Sequence, residues 1–208
     1  MESPYFNSLL HYVSAEQRFN SELAPAKEEF ERIAGPIYET DRSFDARINA
    51  FHNWYILDRP LRGGKTPLGY FLEYNANSLP PDEWQRYQEL LHHMHSVFEL
   101  ARVSGEDTVL RNLLTGKKLV LPGGEQTAHL DKNAVFSTRI FDHAGTLYFS
   151  NYLLLHPGQV RKIIKDQARR LRKAKADATP FLHQLLLFHS RWDQYKQMDL
   201  RSIYRFPE

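Results

Sequence analysis

The sequence predicts a mixed α+β protein with an N-terminal helical layer, a small antiparallel β-sheet or barrel, and two C-terminal helices. Apolar residues recur at helical intervals up to about residue 95, alternate with polar residues between about 97 and 155, and return to helical intervals after Pro157. Helices, then strands, then helices along a chain are typical of an α+β fold. We expect one compact unit, with helices over 1–95, the sheet over 96–155 and the C-terminal helices over 156–208.

Helices are predicted throughout the first block. Residues 19–33 form one, with several glutamates on its solvent side. Phe44–Leu57 carries apolar residues at three- and four-residue steps, so it predicts an amphipathic helix. The next helix begins at Thr66 and Pro67, because a threonine cap followed by proline suits a first helical turn. Residues 80–83 open another helix, with two prolines and two carboxylates near its positive end.

The middle block predicts about five short antiparallel strands, which form a small barrel or a curled sheet. Residues 97–103 and 118–121 are predicted strands, because each is followed by turn-forming residues. The clearest element is a hairpin: residues 134–141 alternate, 142–145 supply turn chemistry and 146–152 return. Curling is expected because the edges of a sheet expose unpaired backbone groups.

Two amphipathic helices are predicted after Pro157. The first carries an apolar stripe of Val160, Ile163, Ile164, Ala168, Leu171 and Ala174. The second begins at a Thr-Pro cap and carries Phe181, Leu185, Phe188, Trp192 and Tyr195. We expect these stripes to share a core with the sheet.

Composition excludes several kinds of site. The 208 residues contain 42% hydrophobic side chains, 27 basic and 25 acidic residues, and no cysteine. The absence of cysteine excludes disulfides, thiolate metal sites, iron–sulfur clusters and a cysteine nucleophile. Residues 1–7 do not show the basic segment and apolar run of a secretory signal, and no apolar stretch reaches the roughly 18 residues of a membrane span. The sequence therefore predicts a cytoplasmic protein without a membrane span.

The charge is concentrated in the first C-terminal helix. Residues 161–175 hold eight of the 27 basic residues and one of the 25 acidic residues, so this segment carries +7 and the remainder −5. Like charges on one helical face repel each other by a few tenths of a kcal/mol per pair. A partner that offsets this repulsion is therefore expected.

Three partners for the basic helix are open. A carboxylate-bearing surface of the same chain, such as residues 28–31, would give an internally matched surface. Nucleic acid would supply phosphates, and an acidic protein or an anionic membrane surface would supply other negative charges. We predict a non-enzymatic binding protein, with nucleic acid slightly ahead of an acidic protein. The predicted contacts are Lys165, Arg169, Arg170, Arg172 and Lys173.

Two rival functions remain open from the sequence. One is an enzyme whose site lies between the helical layer and the sheet, built from residues such as Asp58, Arg59 or Glu73. The other is an adaptor or homo-oligomer that uses exposed aromatic residues within 181–195. No cofactor, metal site or catalytic residue is predicted.

Three short motifs suggest chemistry but fit structural roles better. Residues 63–66 end like a phosphate-binding loop, yet Arg59 occupies the position of its first glycine, so a structural turn is predicted. Residues 92–95 contain three histidines, but their spacing is poor for a metal site on a helix, and a helix C-terminus is predicted. Asp142 and His143 are expected at the hairpin tip, with the histidine exposed to solvent.

One local string resembles a pattern found in functionally uncharacterised bacterial proteins. The resemblance covers about the middle half of the chain, implies a bacterial cytoplasmic origin and transfers no catalytic residue. The residues themselves predict that Trp54 lies in the core and that Asp58 and Arg59 form a helix cap or an ion pair. The matching residues are Phe51, Trp54, Asp58, Arg59, Pro60 and Leu61, then Thr66, Pro67 and Leu68, and the strand after Val97.

Overall fold

Helices flank both ends of a curled antiparallel sheet in the computed structural model, which describes residues 4–104, 107–122 and 127–206. The α+β prediction is therefore confirmed. The helices are α1 (Pro4–Ala15), α2 (Gln17–Ala34), α3 (Phe44–Leu57), α4 (Pro67–Asn75), α5 (Pro81–Glu89), α6 (Arg161–Ala174), α7 (Thr179–Gln194) and the short α8 (Leu200–Ile203). The strands are β1 (His93–Ser104), β2 (Asp107–Asn112), β3 (Lys118–Pro122), β4 (Val135–His143), β5 (Thr146–Phe149) and β6 (Leu154–His156).

The sheet has the order β3-β2-β1-β4-β5, and β6 also pairs with β4. All its pairings are antiparallel. The register between β1 and β2 shifts between Leu100 and Arg102, and such a bulge increases the bend of a strand. The sheet curls into a half-barrel in which β3 approaches β5. Its apolar interior contains Phe98, Leu100, Leu110, Leu121, Phe136 and Phe149.

The predicted hairpin is confirmed as β4 and β5. His143 pairs with Thr146, so the loop has two residues, Ala144 at φ 49° and Gly145 at φ 83°. Positive φ at both positions matches the twist of the flanking strands. The returning strand ends at Phe149, and β6 forms separately.

The N-terminal helices pack around a shared aromatic core that also reaches the sheet. Trp54 is buried there, as predicted, and lies 5.4 Å from the Phe30 ring. Phe6 of α1 stacks on Phe141 of β4 with ring centroids 5.6 Å apart. These contacts join the helical layer to the outer face of β4.

The start of β1 differs from the prediction. Residues 93–95 are not the end of a helix, because α5 ends at Glu89 and a 3₁₀ turn over Leu90–His92 leads into the strand. His93 pairs with Phe141 and His95 with Arg139. Pairing with β4 therefore decides the local conformation, and it puts His93 and His95 on the same side of the sheet.

The apolar stripe of α6 packs as predicted. Ile164 and Ala168 are fully buried in a core that includes Val97 of β1 and Leu185 of α7. The opposite side of α6 carries Lys162, which is exposed.

We expect Ile164→Ala to lower the free energy of unfolding by about 2–4 kcal/mol, because it leaves a cavity in this core. Lys162→Ala, on the other side of the same helix, is expected to change it by less than about 0.5 kcal/mol. Urea denaturation of both variants measures the difference. Equal losses would contradict the orientation of α6.

Candidate functional site

The exposed side of α6 is strongly basic. Core contacts take one side of the helix, and the cations Lys162, Arg169, Arg170 and Lys173 lie on the exposed side. Asp166 is the acidic residue of this helix, and its carboxylate lies 3.4 Å from Arg169. An exposed ion pair of this kind contributes about 0–1 kcal/mol. The cations are therefore close together with little local neutralisation.

Lys165 differs from the other predicted contacts. Its ammonium lies 2.5 Å from Oε1 of Glu99, a β1 residue that is only 6% exposed. This pair ties α6 to the sheet, because a buried carboxylate without a partner costs several kcal/mol. Lys165 thus already has a partner within the fold.

The acidic segment of α2 does not offset the charge of α6. Glu29 pairs with Arg59 at 2.8 Å and Glu31 with Lys27 at 3.4 Å. Within the described ranges, no ion pair joins α2 to α6. Of the three partners that the sequence left open, an acidic surface formed by residues 28–31 is therefore not supported.

Cations from two other segments extend the exposed side of α6. Arg172 donates to the carbonyl of Leu113 at 3.3 Å and covers Gly116, where a Cβ would lie 2.8 Å from its Nη1. Gly116 is followed by two exposed lysines, Lys117 in the β2–β3 turn and Lys118 at the start of β3. On the other side, Arg170 shares a cavity with two arginines of the C-terminal segment. We define the basic surface as Lys117, Lys118, Lys162, Arg169, Arg170, Arg172, Lys173, Arg201 and Arg205.

A second cluster of charged groups lies between the helical layer and the sheet. Arg139 of β4 is 1% exposed and donates to both carboxylate oxygens of Asp58, at 3.1 Å for Nη1 to Oδ1. Nε2 of His93 lies 3.4 Å from Oδ1 of Asp58. Burial opposes ionisation, but the hydrogen bonds from His93 and Arg139 hold the pKa of Asp58 well below its ordinary value.

Both ring nitrogens of His93 have partners within this cluster. Its Nδ1 lies 3.0 Å from the carbonyl of Leu90, which can only accept, so Nδ1 carries a proton. Nε2 faces the ionised carboxylate of Asp58, and both nitrogens are thus engaged. This arrangement holds α3 against the sheet.

The residues of the enzyme hypothesis do not converge. Of the two roles predicted for Asp58 and Arg59, the helix cap is confirmed, because both backbone N–H groups donate to the carbonyl of Trp54 at the end of α3. The ion pair between them does not form, because Asp58 pairs with Arg139. Arg59 contacts Glu22 and Glu29 of α2. Glu73 pairs with Lys65 at 3.0 Å on the surface. The three residues thus belong to three separate groups of ion pairs and form no single site.

The motif at residues 63–66 is a turn and a helix cap. Thr66 accepts a hydrogen bond from the Gly69 N–H at 3.2 Å, which confirms its role as the cap of α4. Gly63 and Gly64 have φ of 107° and 86°, values that favour glycine. The prediction of a structural turn is therefore confirmed.

The hairpin-tip histidine is not exposed as predicted. Asp142 does accept from the Gly145 N–H at 2.9 Å, which is the expected turn bond. His143, however, is only about one-fifth exposed. It lies between Glu89 and Arg86 of α5, and its two ring nitrogens are within hydrogen-bonding distance of these side chains. The sequence did not reveal this contact because α5 is more than 50 residues away.

A buried serine–histidine pair connects the sheet to the C-terminal segment. Oγ of Ser137 lies 2.8 Å from Nε2 of His156, and Nδ1 of His156 lies 3.1 Å from the hydroxyl of Tyr204. Each of the three residues is at most 3% exposed. The arrangement therefore fixes the segment after α8 against β4 and β6.

Comparison of the chain with family models, curated proteins and solved structures returned no match. Within the described part of the chain, no helix has both the length and the apolar character needed to cross a membrane. Among the described residues, His, Asp and Glu side chains form no group of three that could hold a metal ion.

We expect Asp58→Asn to lower the free energy of unfolding by about 3 kcal/mol at neutral pH, because it leaves the Arg139 guanidinium without its counter-charge. The exposed ion pair between Lys65 and Glu73 supplies the control. Glu73→Gln should lower the free energy of unfolding by no more than about 1 kcal/mol. A lowered carboxyl pKa stabilises the fold above the unfolded pKa of about 4, and this contribution is lost as pH falls further. Denaturation between neutral and acid pH measures both effects, and an unchanged acid response in Asp58→Asn would refute the role of Asp58.

Proposed function

We propose that the protein binds nucleic acid through the basic surface, with Arg169, Arg170, Arg172 and Lys173 contacting phosphates. The proposal rests on one observation: among the described residues, the cations on the exposed side of α6 form a single ion pair, between Arg169 and Asp166. Lys165 is left out because Glu99 already occupies its ammonium.

The types and positions of these cations favour phosphates as the partner. Three of the four residues are arginines, whose planar guanidinium can hold a phosphate through two hydrogen bonds. The basic surface also combines cations from the β2–β3 turn, α6 and the C-terminal segment. A surface of this kind suits the repeating charge of a nucleic-acid backbone, and phosphate contacts position a strand without reading its sequence.

The test measures binding of labelled random-sequence RNA and DNA between roughly 50 and 200 mM salt. The variant changes Arg169, Arg170, Arg172 and Lys173 to glutamine, which removes four positive charges and leaves the apolar stripe of α6 unchanged. Because it also removes the hydrogen bond from Arg172 to Leu113, circular dichroism first checks that the variant is folded. We expect tight binding by the unmodified protein that weakens steeply with salt. The variant should bind weakly, and its slope of log affinity against log salt should be smaller by about 3–4, because fewer counterions are released.

A control variant separates local contact from net charge. It removes four exposed cations outside the basic surface by changing Arg18, Arg32, Arg62 and Lys132 to glutamine. We expect it to keep most of the affinity, since it has the same net charge as the first variant. Equal loss in both variants, or no binding by the folded protein at the lowest salt, would refute the proposal; the second result would favour an acidic protein partner.

A further inference from the structure

A groove runs from the basic surface past α8 to the C-terminal end of α7. It consists of three cavities that share lining residues. The first, of about 350 Å³, lies between α6 and the C-terminal segment and is lined by Arg170 and Arg201. Arg201 also lines the second, of about 410 Å³, together with Trp192 and Lys196. Trp192 and Lys196 also line the third cavity, which has a volume of about 270 Å³. We call this series the α7–α8 groove.

The charge of the α7–α8 groove favours an anionic chain. None of its cations forms an ion pair with a carboxylate of the described residues. Its three carboxylates instead accept hydrogen bonds within the fold: Asp166 from Arg169, Asp193 from the backbone and hydroxyl of Ser43, and Asp199 from Ser202. The cations are Arg42, Arg170, Lys196, Arg201 and Arg205.

The third cavity has a different character. Its walls are mostly apolar and include Leu153, Leu155 and the half-buried Trp192. His189 also lines it, and Nδ1 of this histidine is buried without a hydrogen-bond partner in the described structure. Burial lowers the pKa of His189 to about 4, so its ring is neutral at pH 7. Its N–H donates to the backbone of Leu155, which leaves Nδ1 as an acceptor. A flat, uncharged ring with polar edges fits these walls better than a phosphate does.

We infer that the α7–α8 groove binds single-stranded nucleic acid, with phosphates along its cations and a base against Trp192 in the third cavity. This inference rests on the proposed function and narrows its ligand. In a duplex the bases are stacked and paired, and only their edges are accessible. A single strand can turn a base out onto an aromatic side chain while its backbone follows a basic groove.

The first experiment compares three ligands of equal length, about 20 nucleotides. They are a thymidine oligonucleotide, a DNA duplex, and an abasic strand that has the same phosphates without bases. Binding to the full chain is measured by fluorescence anisotropy at low salt. We expect the thymidine strand to bind about 10-fold more tightly than either of the others, because only it offers a free base.

The second experiment tests Trp192 itself. Trp192→Leu keeps an apolar side chain but removes the aromatic ring, so the preference for the thymidine strand over the abasic strand should fall by about 10-fold. Trp192→Phe keeps an aromatic ring on which a base can stack, so it should retain most of the preference for the thymidine strand. Tyr74→Leu, an exposed aromatic outside the groove, is the matched control and should bind like the unmodified protein.

A third measurement needs no substitution and therefore does not depend on the folding of a variant. Photo-crosslinking of a 5-bromouridine strand to the unmodified protein should attach it to the peptide that contains Trp192 and Lys196. Crosslinks confined to other peptides would overturn the inference.

The outcomes distinguish single-strand binding by the α7–α8 groove from the proposed binding of phosphates by the basic surface. Equal affinity for all three ligands, lost in the α6 variant, overturns the single-strand inference and leaves phosphate binding standing. No binding of any ligand overturns both. A preference for the thymidine strand that Trp192→Leu abolishes and Trp192→Phe preserves supports both.

Discussion

The ion pair between Asp58 and Arg139 is the constraint on which the position of the helical layer depends. Arg139 lies inside the sheet on β4 and is 1% exposed, so its charge needs a partner supplied by the fold. That partner is the carboxylate at the C-terminal end of α3. Since separation of the pair leaves a buried charge without compensation, α3 is held against the sheet. The aromatic core around Trp54 and Phe30 then packs over a fixed support.

A second buried cation places the C-terminal helices relative to that layer. Arg47 of α3 is also 1% exposed, and its guanidinium donates to backbone carbonyls of Ala34, Gly35, Pro36 and Leu186. Burial lowers its pKa to about 10, so it remains protonated at neutral pH. Because these carbonyls belong to both the end of α2 and α7, one side chain joins the two parts of the molecule.

The buried side of α6 attaches the helix to the sheet, and its exposed side carries the cations. Its apolar stripe and the Lys165–Glu99 pair anchor the helix on the sheet. Lys162, Arg169, Arg170 and Lys173 lie on the exposed side. Their mutual repulsion opposes folding but favours binding of an anionic partner. The proposed nucleic-acid contact and the α7–α8 groove lie next to each other. Arg170 belongs to both.

The sequence by itself determined the elements whose signals are local. The periodicity of α3, α6 and α7, the cap at Thr66, the hairpin turn and the charge of α6 are all properties of short stretches, so each was predictable. Tertiary structure decided the rest. Strand pairing turned His93 and His95 from a helix end into β1, and packing gave Asp58 a partner 81 residues away instead of its neighbour. The groove likewise combines four distant segments, because which surfaces meet depends on how the whole core packs and not on local conformational preference.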